Sequence, residues 1–191
     1  MIVPLKLHPV SAVDQLTQPK QDKKITPESP ALSIFTDFKV HYPFDLNHKT
    51  TAKEARLIMD KAHARLRFVV DDNGVFLGVV TLDDLSEQRM IQKIAEGHRE
   101  HEILITDFMQ SREQLKAFDY NELSRAKIID VIETLKMQRQ KHCLVIDDES
   151  HEIRGIISSS DISRALDMPI TINRESNFID IAKAILSSIE N

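Results

Sequence analysis

Tryptophan is absent from the 191-residue chain, cysteine occurs once and glycine only four times. Aromatic residues make up 5%, so aliphatic side chains have to build the core. The lone Cys143 excludes an internal disulfide, which points to a reducing, cytoplasmic setting. It lies in an apolar run, where a buried, inert thiol is expected rather than a nucleophile. No apolar run approaches the ~20 residues of a membrane span. The start, MIVPLKLHPVSAVDQ, lacks the continuous apolar stretch of a secretory signal. The net charge is −5 with no block of Lys or Arg, so the basic footprint of a nucleic-acid binder is missing. No Gly-rich phosphate loop, nucleophile–base pair or zinc-ligand cluster is recognisable, so no catalytic residue, catalytic cofactor or metal site is assigned. His98 and His101 would share one helical turn, but no third ligand stands at a defined spacing. A solvated, charged helix end is the expectation there.

What the chain does have is a repetition. GVVTLDDL, Gly78 to Leu85, matches GIISSSDI, Gly155 to Ile162, with an offset of 77 residues at Gly, Thr/Ser and Asp. Upstream, ARLRFVVDD (Ala64 to Asp72) matches QKHCLVIDD (Gln140 to Asp148) with an offset of 76. The extra residue falls between the two strands, at a hairpin tip, where insertion costs least. Asn73-Gly74 is a tight-turn signal because both residues tolerate positive φ.

A helix is predicted before each hairpin. Ala52, Ala55, Ile58, Met59, Ala62 and Leu66 fall mostly three and four apart, as do Ile128, Val131, Ile132 and Leu135 after a cap at Ser124. Further helices are predicted over Asp83 to Gly97 and Ser160 to Asp167. Leu32 to Leu46 reads as extended with a break at Pro43, and Phe35 and Phe38 are expected to pack on the other repeat. Five of the seven prolines precede Ala31, and Gln15 to Pro30 reads as a mobile tail. Met1 to Val10 is open between a docked arm and a tail. Met109 to Ser124 reads as irregular. Ser176 is a cap candidate for a last amphipathic helix, which would pack on its own repeat or on another chain.

This helix–strand–strand–helix pattern, twice over from Phe35 to Met168, resembles the CBS domain family. The chain departs from the family at Phe68 and Leu144, where proline is common. The resemblance implies an α/β (α+β) fold of two βαββα repeats packed with pseudo-twofold symmetry, plus an N-terminal extension and a C-terminal helix. The corresponding division is 1–31 extension, 32–98 first repeat, 99–168 connection and second repeat, and 169–191 helical segment. It further implies a regulatory module, not an enzyme, that binds an adenine nucleotide (AMP, ADP or ATP) as a regulatory ligand and signals to a separate protein partner. A homodimer is implied, with no nucleic-acid polymer and no membrane. The other reading is a ligand-free dimerisation scaffold.

Each Asp of the motif, three residues after Ser or Thr, can accept from two vicinal ribose hydroxyls. Thr81, Asp84, Ser158 and Asp161 are therefore ribose or nucleotide candidates. The residues alone equally allow each Ser/Thr–Asp pair to be a plain helix cap. Phosphate needs cations, and the resemblance puts them just before the second strand: Arg65 and Lys141, with Arg139, His142 and Arg164 nearby. Val79, Ile156 and opening-segment residues are the expected purine slot. Arg164 follows Asp161 by three residues, whereas Glu87 follows Asp84, so the Ser158–Asp161 site is expected to be the tighter one.

Overall fold

The computed structural model describes residues 7, 9, 11, 24–136, 141–168 and 178–189. The elements in chain order are β1 (Phe35–Asp37), β2 (Asp45–Asn47), α1 (Ala52–Lys61), β3 (Leu66–Val70), β4 (Phe76–Thr81) and α2 (Glu87–Ala95). These are followed by β5 (Gln110–Ser111), β6 (Ala117–Asp119), α3 (Tyr120–Leu123), α4 (Ile128–Leu135), β7 (His142–Asp147), β8 (Glu152–Ser158), α5 (Ser159–Ala165) and α6 (Phe178–Ile189). Short 3-10 turns at Ala31–Ile34 and Ile105–Asp107 precede β1 and β5. This is the expected mixed fold of two repeats.

Each repeat forms a four-stranded sheet, and each sheet borrows its edge from the other repeat. The orders are β2-β3-β4-β5 and β1-β8-β7-β6. β1 runs antiparallel to β8, with Asp37 opposite Gly155, and β5 runs antiparallel to β4, with Ser111 opposite Gly78. The glycine of the repeated motif has its reason here. A Cβ on Gly78 would sit 2.2 Å from the carbonyl oxygen of Gln110, and one on Gly155 would sit 2.2 Å from that of Thr36. Only a residue without a side chain lets the exchanged strand approach. The hairpins also repeat, each with a register shift, at Val69/Val70 and at Val145/Ile146. Gly74 turns the first with φ +80, and His151 lies at positive φ in the second.

Two separate cores result. α1 buries Ala52, Ala55 and Met59 against Val69, Val80, Ile105 and Phe108. α4 buries Ile128, Val131, Ile132 and Leu135 against Val145, Ile157 and Ile162. α6 adds Phe178, Ile181, Ala182 and Ile185 to that second core, so it packs on its own repeat. The cap candidate Ser176 lies outside the described residues.

Several elements differ from the sequence expectations. α1 ends at Lys61, because His63 at φ 50 turns the chain and Leu66 begins β3. α2 starts at Glu87, because Leu82–Leu85 are a turn, and it ends short of Gly97 at φ +101. Ser124 ends α3 rather than capping α4. α4 is closed at its start by the Asp130 carboxylate, which accepts from the Lys127 N–H at 2.8 Å. The stretch from Met109 to Ser124 is structured, holding β5, β6 and α3, with Asp119 capping α3. Phe35 packs on Tyr120 of the second repeat as expected, but Phe38 meets Phe68 of its own, at 5.2 Å between ring centres.

Within the expected mobile tail, Lys24–Pro30 is docked. The Ile128 and Ile129 N–H groups donate to the Ser29 and Pro27 carbonyls at 3.0 and 2.9 Å, and Lys127 pairs with Glu28. A helix start has amides without intrahelical acceptors, and this segment supplies two. The first repeat uses the same device, with the Ala52 N–H donating to the Ile103 carbonyl at 2.9 Å.

Candidate functional site

The repeated motif ends each hairpin in a closed polar box. Thr81 donates its hydroxyl to Asp84 Oδ2 at 2.6 Å, while the Asp84 N–H donates back to Thr81 Oγ1 at 3.2 Å. Ser158 and Asp161 do the same at 2.6 and 3.0 Å. The remaining carboxylate oxygen is taken by an arginine of the same repeat: Arg89 on Asp84 at 2.5 Å and Arg164 on Asp161 at 3.1 Å. The capping alternative open in the sequence is therefore realised at Ser158–Asp161, whereas at Thr81–Asp84 the same bonds close a turn. The two are not identical. Ser158 is the N-cap of α5 and Asp161 lies in its first turn. Asp84 sits in a turn ahead of α2, so the helix-start setting expected for both carboxylates holds only for Asp161.

Arg65 and Lys141 occupy equivalent places. The Arg65 carbonyl accepts from the Leu82 N–H at 3.0 Å, and the Lys141 carbonyl from the Ser159 N–H at 2.9 Å. Each backbone therefore holds the residue just after the motif hydroxyl of its own repeat. Both residues line a cavity of about 180 Å³ between the repeats. Thr81, Asp83, Asp84 and Val79 line it from the first hairpin, and Lys141, His142 and Leu144 from the second. Lys141 Nζ stands 3.0 Å from Asp83 Oδ2, an ion pair across the two repeats.

The structure thus brings Thr81, Asp84, Arg65, Lys141 and His142 to one cavity. Ser158, Asp161 and Arg164 do not line it, and neither does Ile156, which pairs with Thr36 in the other sheet. Arg139 lies outside the described residues. Leu144, standing where the family often has proline, forms part of the wall.

Among the walls that escaped the sequence reading are Gln110, Leu115 and Lys116. They come from β5 and the lead into β6, inside the stretch read as irregular. Ala117-Phe118-Asp119 followed by a capped turn was the available signal. Lys116 and Leu115 also face a second, more open cavity of about 910 Å³ beside the hairpin tips. Phe38, Phe68 and Phe76 line that one.

Cys143 is buried in β7, and burial pushes its thiol up to about 11. No helix among the described residues is long and apolar enough to cross a membrane.

A family model described as the CBS domain matches the chain twice, at residues 37–90 and 124–168, together just over half of it. No curated protein matches. Among solved structures, an uncharacterised conserved protein from Pyrococcus horikoshii superposes with a TM-score of 0.55 at 18% identity, covering 77% of this chain and 98% of its own. A CBS domain protein from Streptococcus pneumoniae TIGR4 gives 0.51 at 19% identity, covering 71% and 85%. CBSX2, solved in complex with AMP, gives 0.52 at 16% identity, covering 72% and 95%. At such identities the likeness is one of fold.

Proposed function

The chain belongs to the CBS domain family, and from that membership we propose that it is a tandem regulatory module binding an adenine nucleotide between its repeats. In this reading it catalyses nothing, dimerises, and signals to a separate protein partner. Residues 32–98 and 99–168 act as the two repeats, flanked by 1–31 and 169–191.

One observation carries the reading. A single cavity is walled by a motif hydroxyl and carboxylate, Thr81 and Asp84, and by cationic side chains from both repeats, Arg65, Lys116 and Lys141. A ribose needs paired acceptors and a phosphate needs point charges or forks. The AMP complex of CBSX2 adds a precedent within the fold. We place the primary site at Thr81–Asp84, reversing the order expected from Arg164. Arg65, Lys116 and Lys141 line the cavity beside Thr81 and Asp84, whereas Ser158, Asp161 and Arg164 do not line it. Binding requires Asp84 Oδ1 to exchange Arg89 for ribose hydroxyls, and Lys141 to exchange Asp83 for phosphate. Ser158 and Asp161 remain the candidates for a second, weaker site.

Nucleotide at about 100 times its dissociation constant stabilises a fold by roughly 2.7 kcal/mol, a midpoint rise of roughly 5–10 °C at this chain length. The test is thermal unfolding with AMP, ADP and ATP at millimolar concentration, for the unaltered chain, Asp84→Asn and Asp161→Asn. The expected result is a shift that Asp84→Asn removes and Asp161→Asn mostly keeps. No shift with any nucleotide would overturn the proposal in favour of a ligand-free scaffold. One observation favours that second reading: both motif carboxylates already accept from the motif hydroxyl and from an arginine.

A further inference from the structure

We propose that the open cavity beside the hairpin tips is a second ligand site, that it takes a small zwitterion with an aromatic body (an aromatic amino acid or a short peptide carrying one), and that it is coupled to the nucleotide cavity through a shared wall. The coupling rests on the reading above; the site itself does not.

The cavity measures about 910 Å³, towards the upper end of the roughly 300–1,000 Å³ usual for small-ligand sites. None of the residues lining it belongs to either Gly-x-x-Ser/Thr-x-x-Asp motif, so it is neither of the two nucleotide candidates. Its apolar walls come from both sheets: Phe68, Val70 and Phe76 from one, Ile146 and Ile153 from the other. All five are half-buried. Apolar side chains of two sheets that face a common opening without closing it provide the seat for an apolar body. Rings line one side. Phe38, Phe68 and Phe76 stand in succession, 5.2 and 6.1 Å between centres. A further ring can join that series edge-on or offset.

The charges identify the class of ligand. Four bases and four acids line the cavity, a balance that disfavours a polyanion such as a nucleotide. Arg154 is engaged with Asp37 and Asp147, and Arg112 with Glu113. Among the described residues no ion pair involves Lys39, Lys116, Asp148 or Glu152, which also line it. The Phe38 N–H donates to the Arg154 carbonyl at 3.0 Å, which brings Lys39 to the Glu152 end of β8. A base and an acid without partners thus stand at one rim of an aromatic seat. A ligand carrying carboxylate, ammonium and ring satisfies all three.

Leu115, Lys116 and Leu144 line this cavity and the nucleotide cavity alike. One Lys116 ammonium cannot serve a phosphate on one side and a carboxylate on the other. Each ligand therefore weakens the other, by the same factor in both directions.

The chain contains no tryptophan, so the emission anisotropy of an indole ligand reads binding directly. The full chain, free of nucleotide, is titrated into L-tryptophan, N-acetyl-L-tryptophan, which lacks the ammonium, and L-tryptophanamide, which lacks the carboxylate. L-tryptophan should bind below about 1 mM, and each single-charge analogue about tenfold more weakly. A tryptophan-bearing dipeptide tells a short peptide from the free amino acid by which binds tighter. Lys39→Gln should weaken L-tryptophan and spare the amide; Glu152→Gln should weaken L-tryptophan and spare the N-acetyl form. Neither residue lines the nucleotide cavity, so both variants should keep the AMP midpoint shift. Saturating AMP should weaken L-tryptophan severalfold, and Lys116→Gln should erase that effect. No anisotropy rise with any probe would overturn the site. Equal binding of all three probes, unmoved by both variants, would overturn the zwitterionic class. Loss on Asp84→Asn but not on Lys39→Gln would put the indole in the nucleotide cavity and overturn the site. Tryptophan binding indifferent to AMP, with the AMP midpoint shift intact, would overturn the coupling. Absence of that shift would overturn the nucleotide reading and the coupling with it, while the titration alone still decides the site.

Discussion

Asp37 on β1 and Arg154 on β8 form a two-pronged ion pair, Nε to Oδ1 at 2.9 Å and Nη2 to Oδ2 at 2.7 Å, across 117 residues of chain. The same guanidinium lies over the Tyr120 ring, 4.3 Å from its centre. The exchanged strand is thus held to the second repeat by its backbone ladder and by a planar fork at its end. Arg154 holds the Asp37 carboxyl at about 2, below its ordinary 3.8.

That depression makes the clamp acid-sensitive. A carboxyl whose folded value lies below its unfolded one contributes stability that is present above about pH 4. The contribution is lost as pH falls from about 4 towards about 2. Partial exposure of the pair limits it to ~1–2 kcal/mol. Unfolding free energies from denaturant titration of the unaltered chain and Asp37→Asn should differ by that amount at pH 7 and converge near pH 2. Equal midpoints at pH 7 would show that the backbone ladder alone holds β1.

The motif glycines should fail to tolerate even a methyl group. Gly78→Ala and Gly155→Ala each place a carbon 2.2 Å from a backbone oxygen, forcing the borrowed edge strand outward at ~1–3 kcal/mol. Gly74→Ala has open space but φ +80, and should cost only ~1–2 kcal/mol. Hydrogen exchange gives the finer readout: Gly78→Ala should expose amides around β5, and Gly155→Ala those around β1. Unchanged protection there would show that the strands find room.

Asp83 and Lys141 should move nucleotide affinity in opposite directions. Removing the Lys141 charge should weaken binding about tenfold, the loss of one charged hydrogen bond. Asp83→Asn removes the carboxylate 3.0 Å from the same ammonium and should tighten binding, with a steeper loss in salt. Titration calorimetry at two salt concentrations reads both. A weakening on Asp83→Asn would mean that the pair is needed to shape the cavity.

Cys143 should resist thiol reagents while the chain is folded. With the thiol pushed up to about 11, roughly 0.1% is thiolate at pH 8, and burial blocks access as well. A disulfide reagent should label it slowly in buffer and at once in denaturant. Rapid labelling of the native chain would show that β7 opens locally.

The sequence by itself determined what depends on neighbours along the chain. Two copies of Gly-x-x-Ser/Thr-x-x-Asp, a hairpin turn at Asn73-Gly74 and apolar spacings of three and four were enough for two repeats. They were enough because turns, caps and amphipathic faces are local. Tertiary structure decided the rest. Residues 35–37 and 110–111 are too short to declare themselves as strands, and each pairs with the other repeat. The docking of Lys24–Pro30 on α4 satisfies amides about a hundred residues away, which no local pattern announces. Lys116 became a cavity wall only once β6 was laid beside β7. Two motifs alike in sequence came out unlike in space: Ser158 starts a helix directly and Thr81 starts a turn. Equivalent letters acquire different neighbours when each sheet takes its edge from the opposite half of the chain, because that choice rests on long-range pairing and on the space a glycine leaves.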